Sequence, residues 1–465
     1  MSLDPNRIAL ALGKLIAWLE TWRTEEGAYL GFVVHRSETK RMNNIHDTAW
    51  TQAAMIRGYA NLYRKAREDR WRERLELAAD LQASRFEPET GKFRYAGHED
   101  DRFCSLVHCA LAGCALLEAS TLLDAERERR YIDIVRENVE RYWLPKLWVE
   151  EEGAFRFSEI DYYSPDEDRF VLNFNGVAAE CLLLLADATG LRTYTDFAHR
   201  IGEWLIEGYK RPSAFYRRTD RSVGPMQAPA GGLPYRYTPS QRTPDDCVTI
   251  YAGLSLRGIV ALYDSMNREE LGALAKETAR FLLEMRDPAT HLFYHTARGG
   301  KIEPYPQFVS GAGMTLAGLL KTQSLIGSKA WAEDTHSALL EHGYPNGSYP
   351  NFIGKDANRP GGRSRKVWED AAAGTNWNAQ LFEYLTLLID APTEIEIEPC
   401  SESSRSIQLR YYYCDSPRSA TILSWWPPKS WGAYQYDKRN PVAKFHFDPR
   451  SLYRKLRGGN CHSDR

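Results

Sequence analysis

One succession of features recurs about six times along the chain: an acidic turn, a glycine, a short aromatic stretch, a polar loop, and a long helical run with few charges. Glu25-Glu26-Gly27-Ala28-Tyr29-Leu30 opens the first unit, and Glu87-Pro88-Glu89-Thr90-Gly91-Lys92-Phe93-Arg94-Tyr95 the second. Glu151 to Phe157, Gly232 to Tyr237, Asp287 to His295 and Asn346 to Phe352 open the others. A chain built this way must stack like units, because each helical run is too apolar to stand alone in water.

The periodicity predicts twelve helices, over about 7–22, 47–65, 68–85, 102–123, 125–143, 170–189, 193–209, 245–266, 268–285, 307–325, 329–342 and 370–389. They alternate between helices with one charged face and helices that are apolar nearly all round. The apolar ones belong inside and the amphipathic ones outside, in two concentric layers. Six hairpins joined head to tail can close on themselves, which removes exposed ends; the alternative is an open helical solenoid. Closure is expected, since every long loop precedes an inner helix. The polar cluster His46-Asp47-Thr48 reads as the start of the first inner helix, with Asp47 at or near its N-cap.

Beyond Asp390 the pattern changes to period two, in Pro392 to Glu398, Ser406 to Tyr413 and Thr421 to Trp426. The expected organisation is a helical unit over 1–391, a small β appendage over 392–449 and a loose basic tail over 450–465. The fold class is mainly α.

A net charge of −2 provides no overall basic field for nucleic acid. The N-terminus lacks a basic, then apolar, leader, and no run of about 18 apolar residues is present. A cytoplasmic protein without a membrane span is expected. The eight cysteines form no Cys-x-x-Cys pair and read as reduced core thiols, with no metal site and no cofactor expected. Thirteen Trp and 26 Tyr suit either a large core or a site that stacks sugar rings or lines a hydrocarbon cavity. Phosphate-binding glycine loops, His-Glu-x-x-His and Gly-x-Ser-x-Gly are missing from the sequence.

Chemistry is expected where the inner helices begin, because their free N–H groups and dipoles favour anions and carboxylate bases. His46 and Asp47 are acid/base candidates, although Asp47 also suits a plain cap. Asp245 and Asp246 open the fourth inner helix, where one can cap and the other act as an acid. Hydrolysis needs two carboxyl groups roughly 5–9 Å apart, which Asp47 with Asp245 or Asp246 would supply. Trp50, His108, Tyr163, Asn173, Tyr235, Asp370, Asn376 and Trp377 are the expected substrate-binding residues. His108 equally suits a core histidine. Asn173 and Asn175 sit in an otherwise apolar helix and need partners, which points to a polar wall. Asn376 and Trp377 combine an amide for hydroxyls with a ring for stacking. The loop from Lys355 to Lys366 carries five basic residues that would attract an acidic substrate.

Over about residues 7–390 this pattern resembles the (α/α)6 toroid group of six-hairpin glycosidases, polysaccharide lyases and sugar epimerases. The pieces Glu89-Thr90-Gly91-Lys92-Phe93-Arg94-Tyr95 and His291-Leu292-Phe293-Tyr294-His295 are similar to those preceding inner helices in its sugar-active members. Asn44-Ile45-His46-Asp47-Thr48-Ala49 is similar to the Asp-x-Asp-Asp-Thr-Ala segment of class II terpene cyclases. Only the last Asp, Thr and Ala match, and His46 stands where that family has its protonating Asp. The resemblance implies a carbohydrate-active enzyme, a glycoside hydrolase or lyase, on a small-molecule or oligosaccharide substrate that includes acidic sugars. A terpene cyclase-like enzyme with an aromatic cavity and a non-catalytic binding toroid are the alternatives.

Overall fold

The computed structural model describes residues 5–20, 22–23, 27–34, 41–46, 50–93, 104–159, 169–210, 232–237, 246–298, 301–327, 330–353, 375–389, 394–397, 408–413, 416–421 and 444–446. Thirteen α-helices lie among them: α1 (Pro5–Glu20), α2 (Thr51–Ala66), α3 (Asp69–Ser84), α4 (Leu106–Ser120), α5 (Ala125–Asn138), α6 (Leu172–Thr189), α7 (Arg192–Lys210), α8 (Thr249–Met266), α9 (Glu269–Glu284), α10 (Ala312–Lys321), α11 (Gln323–Ile326), α12 (Ala330–Glu341) and α13 (Thr375–Leu388).

Six of them form a closed inner ring in the order α2, α4, α6, α8, α10, α13, with α13 packed back against α2. The seam is sealed by Asn61 Nδ2, which donates to Thr386 Oγ1 at 3.1 Å, and by Lys65 Nζ, which donates to the carbonyls of Thr386, Leu387 and Ile389. Helices α1, α3, α5, α7, α9 and α12 make the outer layer. The division follows from sequence: α4 is buried on nearly all sides, whereas α5 buries only Tyr131, Val135 and Asn138.

Ring closure at this radius needs helices that touch backbone to backbone. A Cβ on Gly258 of α8 would lie 1.9 Å from the Gly176 carbonyl oxygen of α6, and one on Gly318 of α10 would lie 2.2 Å from that of Gly253. Only glycine allows either approach.

The inner helices start later than their polar leaders suggest. The first begins at Thr51 with Trp50 as N-cap, not near Asp47, and Arg41–His46 is a strand paired with Leu30–Val34. The fourth begins at Thr249, after the short strand Cys247–Val248, not at Asp245. Directly ahead of α8, Cys247–Val248 are committed to a β ladder, and ahead of α2 the paired strand runs to His46; a ladder takes backbone groups before a helical turn can. The fifth inner run is broken at Thr322 into α10 and α11. Helix α5 continues as a π-helix over Val139–Leu147 that carries Pro145.

A four-stranded sheet lies across the fourth to sixth units in the order Phe352–Ile353, Lys301–Phe308, Phe293–Arg298, Cys247–Val248. In the C-terminal part, Gln408–Tyr413, within the expected Ser406–Tyr413, pairs with Ser416–Thr421, a strand that ends where the expected Thr421–Trp426 begins; 422–426 lie outside the described residues. Glu394–Ile397 alternates in burial without joining a ladder, and Arg70 Nη1 of α3 donates to the Ile395 carbonyl at 3.1 Å. Lys444–His446 adds a third strand beside Arg41–Asn43, which ties the end of the chain to the hairpin before α2.

Candidate functional site

Two levels of the ring differ in kind. Each inner helix contributes one charged side chain to a common cluster, from mid-helix in α2, α6, α8 and α13 and from the last turn in α4 and α10: Arg57, Glu118, Glu180, Arg257, Lys321 and Glu383. Three are cationic and three anionic, so the cluster is neutral. Arg57 donates to Glu118 through Nη2 at 2.6 Å and Nε at 3.2 Å, and its Nη2 reaches Glu180 at 3.3 Å. Arg257 donates to Glu383 at 3.0 Å and to Glu180 at 3.3 Å, while Lys321 Nζ stands 3.9 Å from Glu180. Burial alone would make the Arg57 guanidinium easier to deprotonate, but Glu118, Glu383 and Glu180 outweigh it and hold the group well above its ordinary value. Burial raises Glu118 and Glu383, and the pull of Arg57 offsets this only in part. This cluster plugs the bore.

Seven residues before each plug residue stand Trp50, Leu111, Asn173, Ile250, Met314 and Asn376. Seven residues are nearly two full turns, so each shares a helix stripe with its plug residue, about 10 Å nearer the N-terminal mouth. Four members of this layer are apolar or aromatic. The two amides, Asn173 on α6 and Asn376 on α13, are diametrically opposed in the ring order.

Asn173 and Asn376 belong to one motif used twice. Helix α6 opens Leu172-Asn173-Phe174-Asn175 and α13 opens Thr375-Asn376-Trp377-Asn378. The second amide of each is structural. Asn175 accepts from Phe155 N at 2.8 Å and donates to Phe155 O at 2.9 Å. Asn378 does the same to Tyr349, at 2.8 and 2.9 Å. The first amide is not used in this way. Asn173 is 1 % exposed, and among the described residues neither its Nδ2 nor its Oδ1 has a hydrogen-bond partner; Asn376 Oδ1 also lacks one there. A buried amide left unpaired costs about 1–3 kcal/mol, a cost that a ligand's hydroxyl groups can remove.

Rings form a collar at the mouth. The third residue of four inner helices is His108, Phe174, Tyr251 or Trp377. Phe174 stacks on Phe157 at 5.3 Å, and Tyr251 on Tyr235 at 4.7 Å. Trp377 joins Phe308 and Phe352 at 6.0 and 6.2 Å, and His295 stacks on Phe308 at 4.8 Å. Thr249, the first residue of α8, holds the His295 strand by donating to the carbonyls of Tyr294 and His295. His108 Nδ1 lies 3.1 Å from Ser105 Oγ, which orients the imidazole on the first turn of α4.

The expected residues are distributed as follows. Trp50, His108, Asn173, Tyr235, Asn376 and Trp377 lie at inner-helix N-termini or in the collar. Asp246 lies at the edge of the four-stranded sheet, ion-paired with Arg298 at 2.7 Å. The backbone of His46 is in the strand Arg41–His46. Asp47, Tyr163, Asp245 and Asp370, and the basic loop from Lys355 to Lys366, lie outside the described residues. Sequence reasoning missed the plug and His295. The plug's signal was a solitary charge in an apolar helix, as in Val177-Ala178-Ala179-Glu180-Cys181. Among the described residues, no group of three or more His, Cys, Asp or Glu is placed to hold a metal ion, and no helix is long and apolar enough to cross a membrane.

No family model matches the chain, and no curated protein matches it. Solved structures do. A D-mannose isomerase superposes with a TM-score of 0.58 at 13 % identity, over 81 % of this chain and 96 % of that one. A sugar epimerase from a ruminal bacterium gives 0.57 at 11 %, over 81 % and 96 %. The unsaturated glucuronyl hydrolase of Bacillus sp. GL1 gives 0.53 at 16 %, over 83 % and 96 %. The likeness covers 81–83 % of this chain, and the chain has the fold of the (α/α)6 toroid group to which these proteins belong.

Proposed function

We propose that the chain is an enzyme acting on a small carbohydrate, a free sugar or the end of an oligosaccharide, held at the mouth of the plugged bore. The observation that carries this reading is the pair of opposed amides, Asn173 and Asn376, with unpaired atoms in a layer otherwise made of Trp50, Leu111, Ile250 and Met314. A sugar ring has hydroxyls round its edge and C–H groups on its faces. Amides at opposite sides with apolar and aromatic groups between them match both. The cluster links non-adjacent inner helices across the ring, so a polymer cannot thread through and only an end or a free sugar fits. The sugar-converting neighbours of the same fold support the carbohydrate reading.

Acid/base chemistry follows from the groups at the mouth. His108, on α4, and His295, beside α8 and α10, come from different sides of the collar. Imidazoles exchange protons near neutral pH. Two such groups suit removal and return of a proton on a carbon next to a sugar carbonyl, which is isomerisation or epimerisation. Hydrolysis is the second reading. It is favoured by Asp246 at the same end of the molecule, with Asp47 as its partner carboxyl group.

The test is a panel of free aldoses, ketoses, disaccharides and uronate-ended oligosaccharides, followed by nuclear magnetic resonance in deuterium oxide. A new epimer or isomer carrying deuterium beside the carbonyl supports proton transfer, with His108→Asn inactive. New reducing ends without carbon-bound deuterium support hydrolysis, and an unsaturated uronate supports elimination. If no sugar is converted and none shifts the melting temperature, the carbohydrate reading fails.

A further inference from the structure

The five described cysteines are all buried. Four of them form two pairs, and the pairs have different surroundings. Cys104 precedes α4 and Cys109 is the fourth residue of that helix; their sulfurs are 3.2 Å apart. Cys114 and Cys181 are the second pair, between α4 and α6.

The first pair is chemically asymmetric. Asn138 Nδ2 lies 3.6 Å from Cys109 Sγ as a donor, beside the Cys104 sulfur. The Cys104 thiol also reaches the Phe93 carbonyl at 3.5 Å, and the Cys104 carbonyl accepts from Tyr142 Oη at 2.5 Å. Burial would push the Cys109 thiol up, but its contacts with Cys104 and Asn138 bring it below its ordinary value; the contact with Cys109 and burial raise Cys104. One sulfur thus has an amide donor and a second sulfur 3.2 Å away, a placement from which a disulfide can close. Cys114 has no such donor. Burial raises it, and its sulfur faces only the Val177 carbonyl, at 3.8 Å, and Cys181.

We propose that Cys104 and Cys109 are a modification site, a dithiol that hydrogen peroxide converts to a disulfide and reductant restores. The Cys109 thiolate attacks a peroxide oxygen. The O–O bond breaks, hydroxide leaves, and Cys109 becomes the sulfenic acid. The Cys104 sulfur then attacks the Cys109 sulfur. The S–S bond forms, the S–O bond breaks, and a second hydroxide leaves. Two thiols have lost two protons and two electrons, and peroxide has become two waters. The sulfurs must close by roughly 1.2 Å to reach a bond of about 2.05 Å. Both are buried, which excludes bulky disulfides such as oxidised glutathione, and peroxide must reach Cys109 Sγ through a transient opening.

The six-residue loop that would close contains Ser105 and His108, whose contact orients the imidazole at the mouth. Oxidation would therefore clamp the first turn of α4. The dithiol chemistry itself is independent of the carbohydrate reading.

The experiment treats the whole protein with hydrogen peroxide, unfolds it in the presence of iodoacetamide, digests it and maps every cysteine by mass. The expected result is a Cys104–Cys109 peptide lighter by two hydrogens and unalkylated. Dithiothreitol should restore alkylation, and Cys114 and Cys181 should be alkylated throughout. In Cys104→Ser the second step has no thiol, so Cys109 should accumulate as a sulfenic acid that dimedone traps. Full alkylation of Cys104 and Cys109, a bridge at Cys114–Cys181 instead, or oxidation of Cys109 that dithiothreitol does not reverse would each overturn the proposal. Should the variant fail to fold, the wild-type map decides alone.

Discussion

Asn173 and Glu180 lie one heptad apart on α6, so a single helix stripe carries the unpaired amide near the mouth and a buried carboxylate of the plug. The same spacing links Asn376 to Glu383 on the opposite helix, α13. Ligand layer and plug are thus two levels of one set of helices.

That arrangement separates binding from stability at neighbouring positions. Asn173→Ala removes an amide with no partner and is expected to leave stability unchanged or raise it by about 1 kcal/mol, while weakening sugar turnover tenfold or more. Asn175→Ala strips both partners from the Phe155 backbone and is expected to cost about 2–4 kcal/mol. Urea denaturation beside kcat/KM measurements separates the two; equal loss of stability in both variants would contradict the assignment.

The plug is expected to fail unevenly. Arg57 serves Glu118, Glu180 and Glu383, so Arg57→Met strands buried carboxylates and should destabilise by about 3–5 kcal/mol. Lys321→Met removes a half-exposed ammonium 3.9 Å from its partner and should cost under about 1 kcal/mol. Chemical denaturation of the two variants, with unchanged m-values, is the check.

Gly258→Ala tests the ring itself. Its methyl group would meet the Gly176 carbonyl at 1.9 Å, backbone against backbone, with no side chain that can yield. A loss of about 3 kcal/mol, or failure to fold, is expected. Gly190→Ala has no atom within 4 Å of the new methyl and pays only for its positive φ of 70°, about 1 kcal/mol. Melting temperatures should rank the two accordingly.

His336 on α12 gives a pH signature. Burial lowers its pKa from 6.5 to about 4, and its Nε2 contacts the Tyr384 hydroxyl of α13. The unfolded chain therefore binds the extra proton first as pH falls. The stabilisation is complete above about pH 6.5 and is lost progressively toward pH 4, on the order of 3 kcal/mol in all. His336→Gln should flatten that part of the stability profile, and an unchanged slope would show that other groups set it.

Much of the fold was legible because layer assignment depends on side chains within one helix. A helix such as α4, apolar on every face, declares itself inner, and α5 with its charged face declares itself outer. Helix starts were less legible. Asp47 and Asp245 look like caps, and no local signal tells a capping run from a run whose neighbours are drawn into a ladder with residues many positions away. The plug was hidden for the same reason: Arg57 meets Glu180 across 123 positions and Arg257 meets Glu383 across 126. A lone charge reveals that it needs a partner, but not which one. Asn173 and Asn175 are alike in sequence, and only the backbone partners of Asn175 mark it as the clamping amide.

The seam between α2 and α13 also sets an order of events during synthesis. Asn61 and Thr386 are 325 positions apart, so the flank of α2 made early has to wait for almost the last helix to cover it. Until then the nascent chain is an arc with two uncovered apolar edges, one of them fixed and the other advancing with each hairpin. Such an arc can equally meet the edge of a second unfinished copy. The cell must therefore keep these chains apart until residue 386 has emerged, and slowing translation late in the message is expected to cost more yield than slowing it early.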